Sequence, residues 1–404
     1  MLHHWWEKHT DALMNAPDFE EELQKFVEVL KAKFSKEDLF TLLEDQQPLL
    51  VIGHDTRESS ERLHNALIAG AEAVGVRSLD FGAVTTPQLC WLVSKIHEND
   101  GDFIRVDKND YVDNYARKFK AFLDLVGDKE TEKYDSRLWL DCSNGIGGAV
   151  IKQFKEQLPL DLVLENTGED VTYLNDGCGA EFVHKDQKVP ANYHEFQDGK
   201  KCASFDGDAD RLIYFYREES GRLVIIDGDK QFALIIDYIK SLLKELGVTQ
   251  EQLSVVHVLT AYANSRTFEF LIKNEVYYEL VATGVKNAHP VVERFDIGAN
   301  DEPNGHGTVC AKMLKVREVL EPHQHTLQAK KIIALLELSN FTVGDAITGM
   351  LILEAIMKDR DMSIQDFAAL YSENPSKMFK AVVEDRSRFK VIPDESRLTA
   401  PIEL

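Results

Sequence analysis

Along this chain a short apolar run is repeatedly followed by a turn, a stretch of helical period, and a second short apolar run. The first instance is "PLLVIG" (48–53), "SSERLHNALIAGAEAVG" (59–75) and "RSLDFG" (77–82). The second is "RLWLDC" (137–142), the turn "SNGIGG", a helix near 149–157 and "LDLVLE" (160–165). The third is "FALIIDYIKSLLKELG" (232–247) followed by "SVVHVL" (254–259). Short apolar runs bounded by turn residues suit buried strands, and Phe232, Ile235, Ile236, Ile239, Leu242, Leu243 and Leu246 fall at helical spacing. Strand, helix and strand in succession make βαβ units, so an α/β protein of repeated architecture is expected. The repeats share pattern and not residues, which leaves internal duplication open. A charged helical segment over about 18–45 precedes them. From about 325 the pattern turns helical, in "LQAKKIIALLEL" (327–338) and "AITGMLILEAIMKD" (346–359). The final stretch "AVVEDRSRFKVIPDESRLTAPIEL" is polar, holds two prolines and reads as a linker.

The 404 residues give room for roughly two to four domains. A formal charge of -23, from 46 basic and 69 acidic residues, argues against a nucleic-acid partner, because phosphate backbones are held by clustered Lys and Arg. Any anionic ligand must be held by local groups. The cysteines Cys90, Cys142, Cys178, Cys202 and Cys310 are scattered and form no CxxC pair, so neither a disulfide framework nor a zinc site is suggested. Apolar runs such as "FALII" (232–236) are too short to span a bilayer, and "MLHHWWEKHT" has no basic segment followed by an apolar one. No membrane partner is expected, and a reducing, cytoplasmic setting fits. His3 and His4 are adjacent at a terminus and read as incidental.

In "SFDGDADRLIYFY" (204–216), Asp206, Asp208 and Asp210 alternate between two strand-like runs. Three carboxylates this close repel and raise one another's pKa unless a cation compensates them. One reading is a hard oxygen cage for Mg²⁺ or Ca²⁺, curled by Gly207 and Ala209; the other is an acidic hairpin turn facing water. An EF-hand is excluded, since the sixth position from Asp206 is Arg211 and the twelfth is Arg217. Arg211 either brings a guanidinium to an anion bound there or neutralises the loop.

"CSNGIGG" (142–148) fails the dinucleotide spacing, because Val150 stands where a third glycine belongs, and reads as a tight βα turn. "DGDK" (227–230) reads as a turn before a helix, with Asp227 or Asp229 as cap. "ATGVKNAH" (282–289) presents Thr283 and Lys286, and "DEPNGHGT" (301–308) presents Glu302, Asn304, His306 and Thr308. Such sets read polyhydroxylated ligands, since a carboxylate or an amide engages paired hydroxyls; solvent loops with Asn-Gly turns remain the other reading.

Taken together, "GHDTRESSE" (53–61), "TTPQL" (85–89), "DCSNGIGG" (141–148), "CGAEFVHKDQK" (178–188), "FDGDADR" (205–211), "TAYAN" (260–264), "TGVK" (283–286) and "EPNGHGT" (302–308) resemble, in order and spacing, the phosphoacetylglucosamine mutase family, a branch of the α-D-phosphohexomutases. The resemblance implies repeated three-layer α/β/α domains with mixed sheets. It places an incomplete domain 1 at 1–120, domain 2 with the metal loop at 121–232, domain 3 with the sugar loop at 233–370, and a linker at 371–404. It implies an isomerase, an intramolecular phosphotransferase interconverting N-acetylglucosamine 6-phosphate and 1-phosphate for UDP-N-acetylglucosamine synthesis. Mg²⁺ would be held by Asp206, Asp208 and Asp210 with a phosphoserine, and the phosphorylated N-acetylhexosamine by Glu302, Pro303, Asn304, His306 and Thr283. Arg211 and Lys286 would support the chemistry.

The chain departs from the family in four places. Pro303 stands where Ala is common, and His54 where Arg is usual. The family's T-A-S-H-N-P phosphoserine loop and its R-P-S-G-T-E phosphate loop have no counterpart among the 404 residues. An incomplete gene model or fragment is expected over a natural pseudoenzyme, and little mutase activity is expected of the chain as it stands. The alternatives are a non-catalytic Mg²⁺ and phosphosugar binder, or a sister mutase for glucose or mannose phosphate.

Overall fold

A computed structural model describes residues 49–99, 106–128, 130–169, 171–193, 197–376 and 382–401. The helical segment expected near 18–45, and His3 and His4, lie outside the described residues. The chain divides into two compact units. The described part of the first holds most of strand β1 (Leu49–His54), helix α1 (Ser60–Ala73) and strand β2 (Arg77–Ala83), with β1 and β2 paired in a two-stranded sheet.

The second unit comprises Gly53–His64 and Phe81 onward. Its first helices are α2 (Thr86–Glu98) and α3 (Asn109–Val126). Thr85 caps α2, its hydroxyl accepting from the Gln88 amide at 3.1 Å, and Pro87 occupies the first turn where no helical amide bond is lost. Next come β3 (Arg137–Asp141), α4 (Ile146–Lys155), β4 (Asp161–Glu165), α5 (Ala180–Asp186), β5 (Cys202–Phe205), β6 (Leu212–Arg217) and β7 (Leu223–Ile226). They form a mixed sheet of order β4-β3-β5-β6-β7, parallel across β4, β3 and β5 and antiparallel beyond. Phe205 pairs with Leu212, so residues 206–211 are the loop of a β-hairpin.

After α6 (Gly228–Glu245) follow β8 (Val255–Thr260), α7 (Ser265–Lys273), β9 (Tyr277–Val281), α8 (Val285–Val292), β10 (Ile297–Asp301) and β11 (Gly307–Ala311). Their sheet has the order β11-β10-β8-β9, with β8, β9 and β10 parallel and β11 antiparallel at the edge. Asp301 pairs with Gly307, which makes 302–306 a second hairpin loop. The chain continues through α9 (Met313–Leu320), α10 (Leu327–Leu338), α11 (Ala346–Arg360) and α12 (Ile364–Ala368).

Both sheets are covered on two faces, as strand alternation shows. Leu138, Leu140, Ala203, Phe205 and Tyr214 join the main core, while their neighbours Trp139, Cys202, Ile213 and Phe215 pack with Ala180 and Val183 of α5. In the second sheet Val255 and Leu259 face the main core, and Val256 and Val258 face Ala288 and Val292 of α8. Three layers follow directly from this period of two. Helix α11 is buried on nearly every side from Ala346 to Met357, and its Glu354 is met by Lys201 at 2.5 Å and by the hydroxyls of Tyr134 and Tyr214 at 2.9 Å each.

The polar C-terminal stretch expected as a linker contains a small hairpin, β12 (Lys390–Val391) and β13 (Leu398–Ala400). Its turn is built by Asp394, whose Oδ1 accepts from the Ser396 amide at 2.9 Å and hydroxyl at 2.7 Å, a side-chain turn that a count of polar residues overlooks.

Candidate metal and sugar site

The β5–β6 loop brings Asp206, Asp208 and Asp210 together, one oxygen from each lying within 4.8 Å of the others. Asp206 Oδ1 accepts from the Asp210 amide at 3.0 Å and the Arg211 amide at 3.1 Å, which folds the loop back on its first residue. Ala209 takes the left-handed backbone that this curl requires, with φ of 57°. At an effective dielectric near 20, two charges 4.8 Å apart repel by about 3 kcal/mol, so the bare cluster is costly.

The turn read in sequence as a plain βα connection is the loop's seat. Ile146, at the start of α4, donates its amide to the Gly207 carbonyl at 3.1 Å. A Cβ on Gly145 would stand 2.2 Å from that same oxygen, and one on Gly147 would stand 2.9 Å from the Ala209 methyl. Glycines there let two backbones touch. From the other side, the Ala346 amide at the start of α11 donates to the Ala209 carbonyl at 3.0 Å.

Arg211 and His306 partly compensate the cluster. The Arg211 Nε lies 3.6 Å from Asp210 and 3.7 Å from Asp206, and its Nη1 lies 3.8 Å from Glu181, so Arg211 neutralises the loop. His306 Nδ1 lies 3.2 Å from Asp210 Oδ2 and 3.1 Å from the Asp210 carbonyl. Burial, with the charges of Asp210 and Asp208, pushes the Asp206 carboxyl well above its usual range. Burial acts the same way on Asp210, but the hydrogen bond and charge of His306 outweigh it and hold that carboxyl low. Burial opposes a proton on His306, and Asp210 overcomes this to raise the imidazole. Three clustered oxygen donors, whose ionisation burial and mutual repulsion oppose at Asp206, fit a hard divalent ion such as Mg²⁺.

His306 also joins this loop to the second one. Arg211 and His306 form a β-bridge, and the Leu212 amide donates to the Gly305 carbonyl at 3.2 Å. Within the second loop, Glu302 Oε1 accepts from the Gly284 amide at 3.1 Å and Oε2 from the Asn304 amide group at 2.9 Å. Asn304 Oδ1 accepts from the His306 amide at 2.9 Å. Pro303 is buried, and its carbonyl takes the Gly228 amide at 3.3 Å.

The expected site residues therefore fall into two connected loops, with a looser fringe. Thr283 is exposed and its amide donates to Glu395 at 3.0 Å; Lys286 is exposed on the first turn of α8. Thr308 is buried with its hydroxyl on the Asn340 carbonyl at 2.7 Å, so it serves the fold. Sequence reasoning missed Thr86, whose hydroxyl donates to Asp208 Oδ2 at 2.7 Å, although "TTPQL" had been picked out. It also missed Arg57 and Glu181, which line a cleft of about 540 Å³ together with Asp206, Asp208, Asp210 and Arg211. A larger surface groove of about 670 Å³ beside α3 includes none of these residues, so volume alone does not locate the site.

Residues 106–213 match the family profile described as phosphoacetylglucosamine mutase AMG1, domain II, and residues 227–362 match domain III of the same family. Residues 23–131 match the phosphoglucomutase/phosphomannomutase alpha/beta/alpha domain I. The phosphoacetylglucosamine mutase of Sus scrofa is 37% identical over 414 residues, covering 99% of this chain and 72% of the relative. That of Oryza sativa subsp. japonica is 34% identical, covering 99% and 74%. Among solved structures, an N-acetylglucosamine-phosphate mutase in its substrate complex superimposes with a TM-score of 0.84 at 30% identity, over 98% of this chain and 74% of the other. The Aspergillus fumigatus N-acetylphosphoglucosamine mutase, in complex with GlcNAc-6P and magnesium, gives 0.82 at 29% identity, over 98% and 78%. The chain belongs to the phosphoacetylglucosamine mutase family.

Proposed function

We propose that this chain provides the metal and sugar loops of a phosphoacetylglucosamine mutase, which interconverts N-acetylglucosamine 6-phosphate and 1-phosphate in the cytoplasm. The observation that carries the reading is the direct link between the two loops, through the Arg211–His306 bridge and the Leu212–Gly305 hydrogen bond. Asp206, Asp208 and Asp210 would hold Mg²⁺, which when bound neutralises charge on a phosphoryl group in transfer. Arg211, which neutralises the loop in the unliganded site, would also reach a phosphoryl oxygen held beside those carboxylates. Glu302 and Asn304, each fixed by hydrogen bonds at 2.9 to 3.1 Å, keep lone pairs and an amide edge for sugar hydroxyls, while Thr283 and Lys286 complete the rim.

Titration calorimetry with N-acetylglucosamine 6-phosphate, glucose 6-phosphate and mannose 6-phosphate in the presence of Mg²⁺ tests the reading. The N-acetylated sugar is expected to bind most tightly. Equal affinity for all three, or tighter binding of an unacetylated sugar, would move the assignment to a sister phosphohexomutase. A second reading, a binder without turnover, is favoured by one observation: no Ser-His-Asn string occurs among the 404 residues. For the chain on its own this second reading expects binding without mutase turnover, and measurable turnover by it would exclude that reading.

Among the described residues no helix is long and apolar enough to cross a membrane.

A further inference from the structure

We propose that Asp229 and Asp301 share one buried proton and that this carboxyl pair is what positions the Glu302–Asn304 loop for its sugar. Asp301 is the last residue of β10 and the root of that loop. Its Oδ1 is held by His257 Nε2, from the neighbouring strand β8. Asp229 lies in the first turn of α6 within hydrogen-bonding reach of Asp301, and its Oδ2 accepts from the Asn264 amide at 2.7 Å. The two oxygens left over, Asp229 Oδ1 and Asp301 Oδ2, are buried and receive no hydrogen from any other group. Exposure of Asp229, His257 and Asp301 is 1%, 0% and 3%, so the pair is shielded from bulk solvent.

Two facing carboxylates cannot both stay ionised in such an enclosure. One proton on Asp229, donated to Asp301, satisfies both orphaned oxygens at once. Burial and the charges of Asp227 and Asp301 raise the Asp229 carboxyl well above its ordinary range, in keeping with a retained proton. The other charged or titratable groups around the pair are His257 on β8, Lys230 on α6, Glu373 at 2.7 Å from the Lys230 Nζ, and Tyr371, over whose ring that Nζ lies at 4.8 Å.

The pair acts on the loop through Gly228. This residue precedes Asp229, donates its amide to the Pro303 carbonyl at 3.3 Å, and sits so close beneath the loop that a Cβ on it would lie 2.1 Å from the Glu302 carbonyl oxygen. If the Asp229 hydrogen bond opens, the start of α6 is freed from β10 and the seat of Glu302 moves with it. Asp229, Asp301 and His257 are thus positioning residues, and the inference rests on the sugar-site reading given above.

The test uses the full chain with N-acetylglucosamine 6-phosphate and MgCl₂ in a calorimeter, from about pH 6 to about pH 9. Asp229→Asn, whose amide donates to Asp301 at every pH, is expected to bind as tightly as the unaltered chain at the acid end and to lose less affinity toward the alkaline end. Asp229→Ala is expected to bind about tenfold more weakly while its Mg²⁺ affinity stays unchanged. Asn and Ala variants that bind alike, or an unaltered chain that loses affinity toward the alkaline end with the Asn variant losing it equally, would overturn the proposal. Should the Ala variant not fold, the Asn comparison decides alone. An infrared difference spectrum between the unaltered chain and Asp229→Asn separates this proposal from the sugar assignment. A protonated-carboxyl band lost in the variant at neutral pH supports the shared proton even if no sugar binds, and no such band overturns it whatever binds.

Discussion

Gly305→Ala strikes one of the points where the metal loop and the sugar loop touch. Gly305 has φ of 89°, and a Cβ built on it would lie 2.1 Å from the Leu212 carbonyl oxygen and 2.9 Å from the Leu212 nitrogen. The left-handed backbone costs an L-residue about 1–2 kcal/mol. The contact must also open by roughly 1 Å, which breaks the 3.2 Å bond from the Leu212 amide to the Gly305 carbonyl and adds about 1 kcal/mol. The sum is about 2–3 kcal/mol, which for a chain of 404 residues lowers the melting temperature by about 2–4 °C. Gly221→Ala is the control: its φ is 84°, but nothing lies within 4 Å of the added methyl, so only the backbone cost of about 1–2 kcal/mol remains. Because Leu212 begins β6 directly after the carboxylate loop, Gly305→Ala is also expected to weaken phosphosugar binding about tenfold while Gly221→Ala leaves it unchanged. Calorimetric melts and phosphosugar titrations of both variants read the two effects. If Gly305→Ala melts with Gly221→Ala and binds like the unaltered chain, the steric coupling of the loops is wrong.

Removing Glu354 strands the Lys201 ammonium, which is 5% exposed, and unsatisfies the two tyrosine hydroxyls. Glu354→Ala should therefore cost about 3–5 kcal/mol in denaturant unfolding, and adding Lys201→Met should recover part of that loss; simple additivity of the two would refute the coupling. Burial and the charge of Glu373 push the Asp227 carboxyl up to about 7. The folded state then holds a proton that the unfolded chain releases from about pH 4 upward, so this residue's contribution to stability falls as pH rises from about 4 to about 7. Asp227→Asn keeps a helix-capping side chain, and its melting temperature relative to the unaltered chain should climb across that window; a constant or shrinking difference would contradict the assignment.

What could be read from the sequence was whatever is encoded locally. The βαβ units follow from short-range periodicity, and helix α10 spans the expected 327–338 because its apolar run and its Thr326 cap are contiguous. The "DGDK" reading held as well, since an N-cap is a contact three residues long: Asp227 Oδ1 accepts from the Lys230 amide at 3.2 Å. The convergence of Asp206, Asp208 and Asp210 followed from their alternation in a short hairpin.

What stayed hidden depends on distant pairs. His306 is 96 residues from Asp210 and Thr86 is 122 from Asp208, and nothing in either neighbourhood announces the other. "CSNGIGG" displayed the chemistry of a turn, yet its glycines also let Gly207 rest on Gly145. Only the sheet order that sets β3 beside β5 supplies that fact. Likewise Asp229 and Asp301 are ordinary in sequence and become a proton-sharing candidate only when α6 and β10 bury them together.

The cleft that Arg57 and Arg211 share with Asp206, Asp208, Asp210 and Glu181 holds more carboxylates than guanidiniums, so an incoming phosphate meets repulsion until a cation enters. The most direct measurement is a calorimetric titration of N-acetylglucosamine 6-phosphate with and without Mg²⁺, for the unaltered chain and for Asp208→Asn. Mg²⁺ is expected to tighten phosphosugar binding at least about tenfold in the unaltered chain and to have little effect in Asp208→Asn. Identical affinities with and without Mg²⁺, or a metal effect that survives Asp208→Asn, would contradict a site in which these aspartates hold the ion beside the sugar.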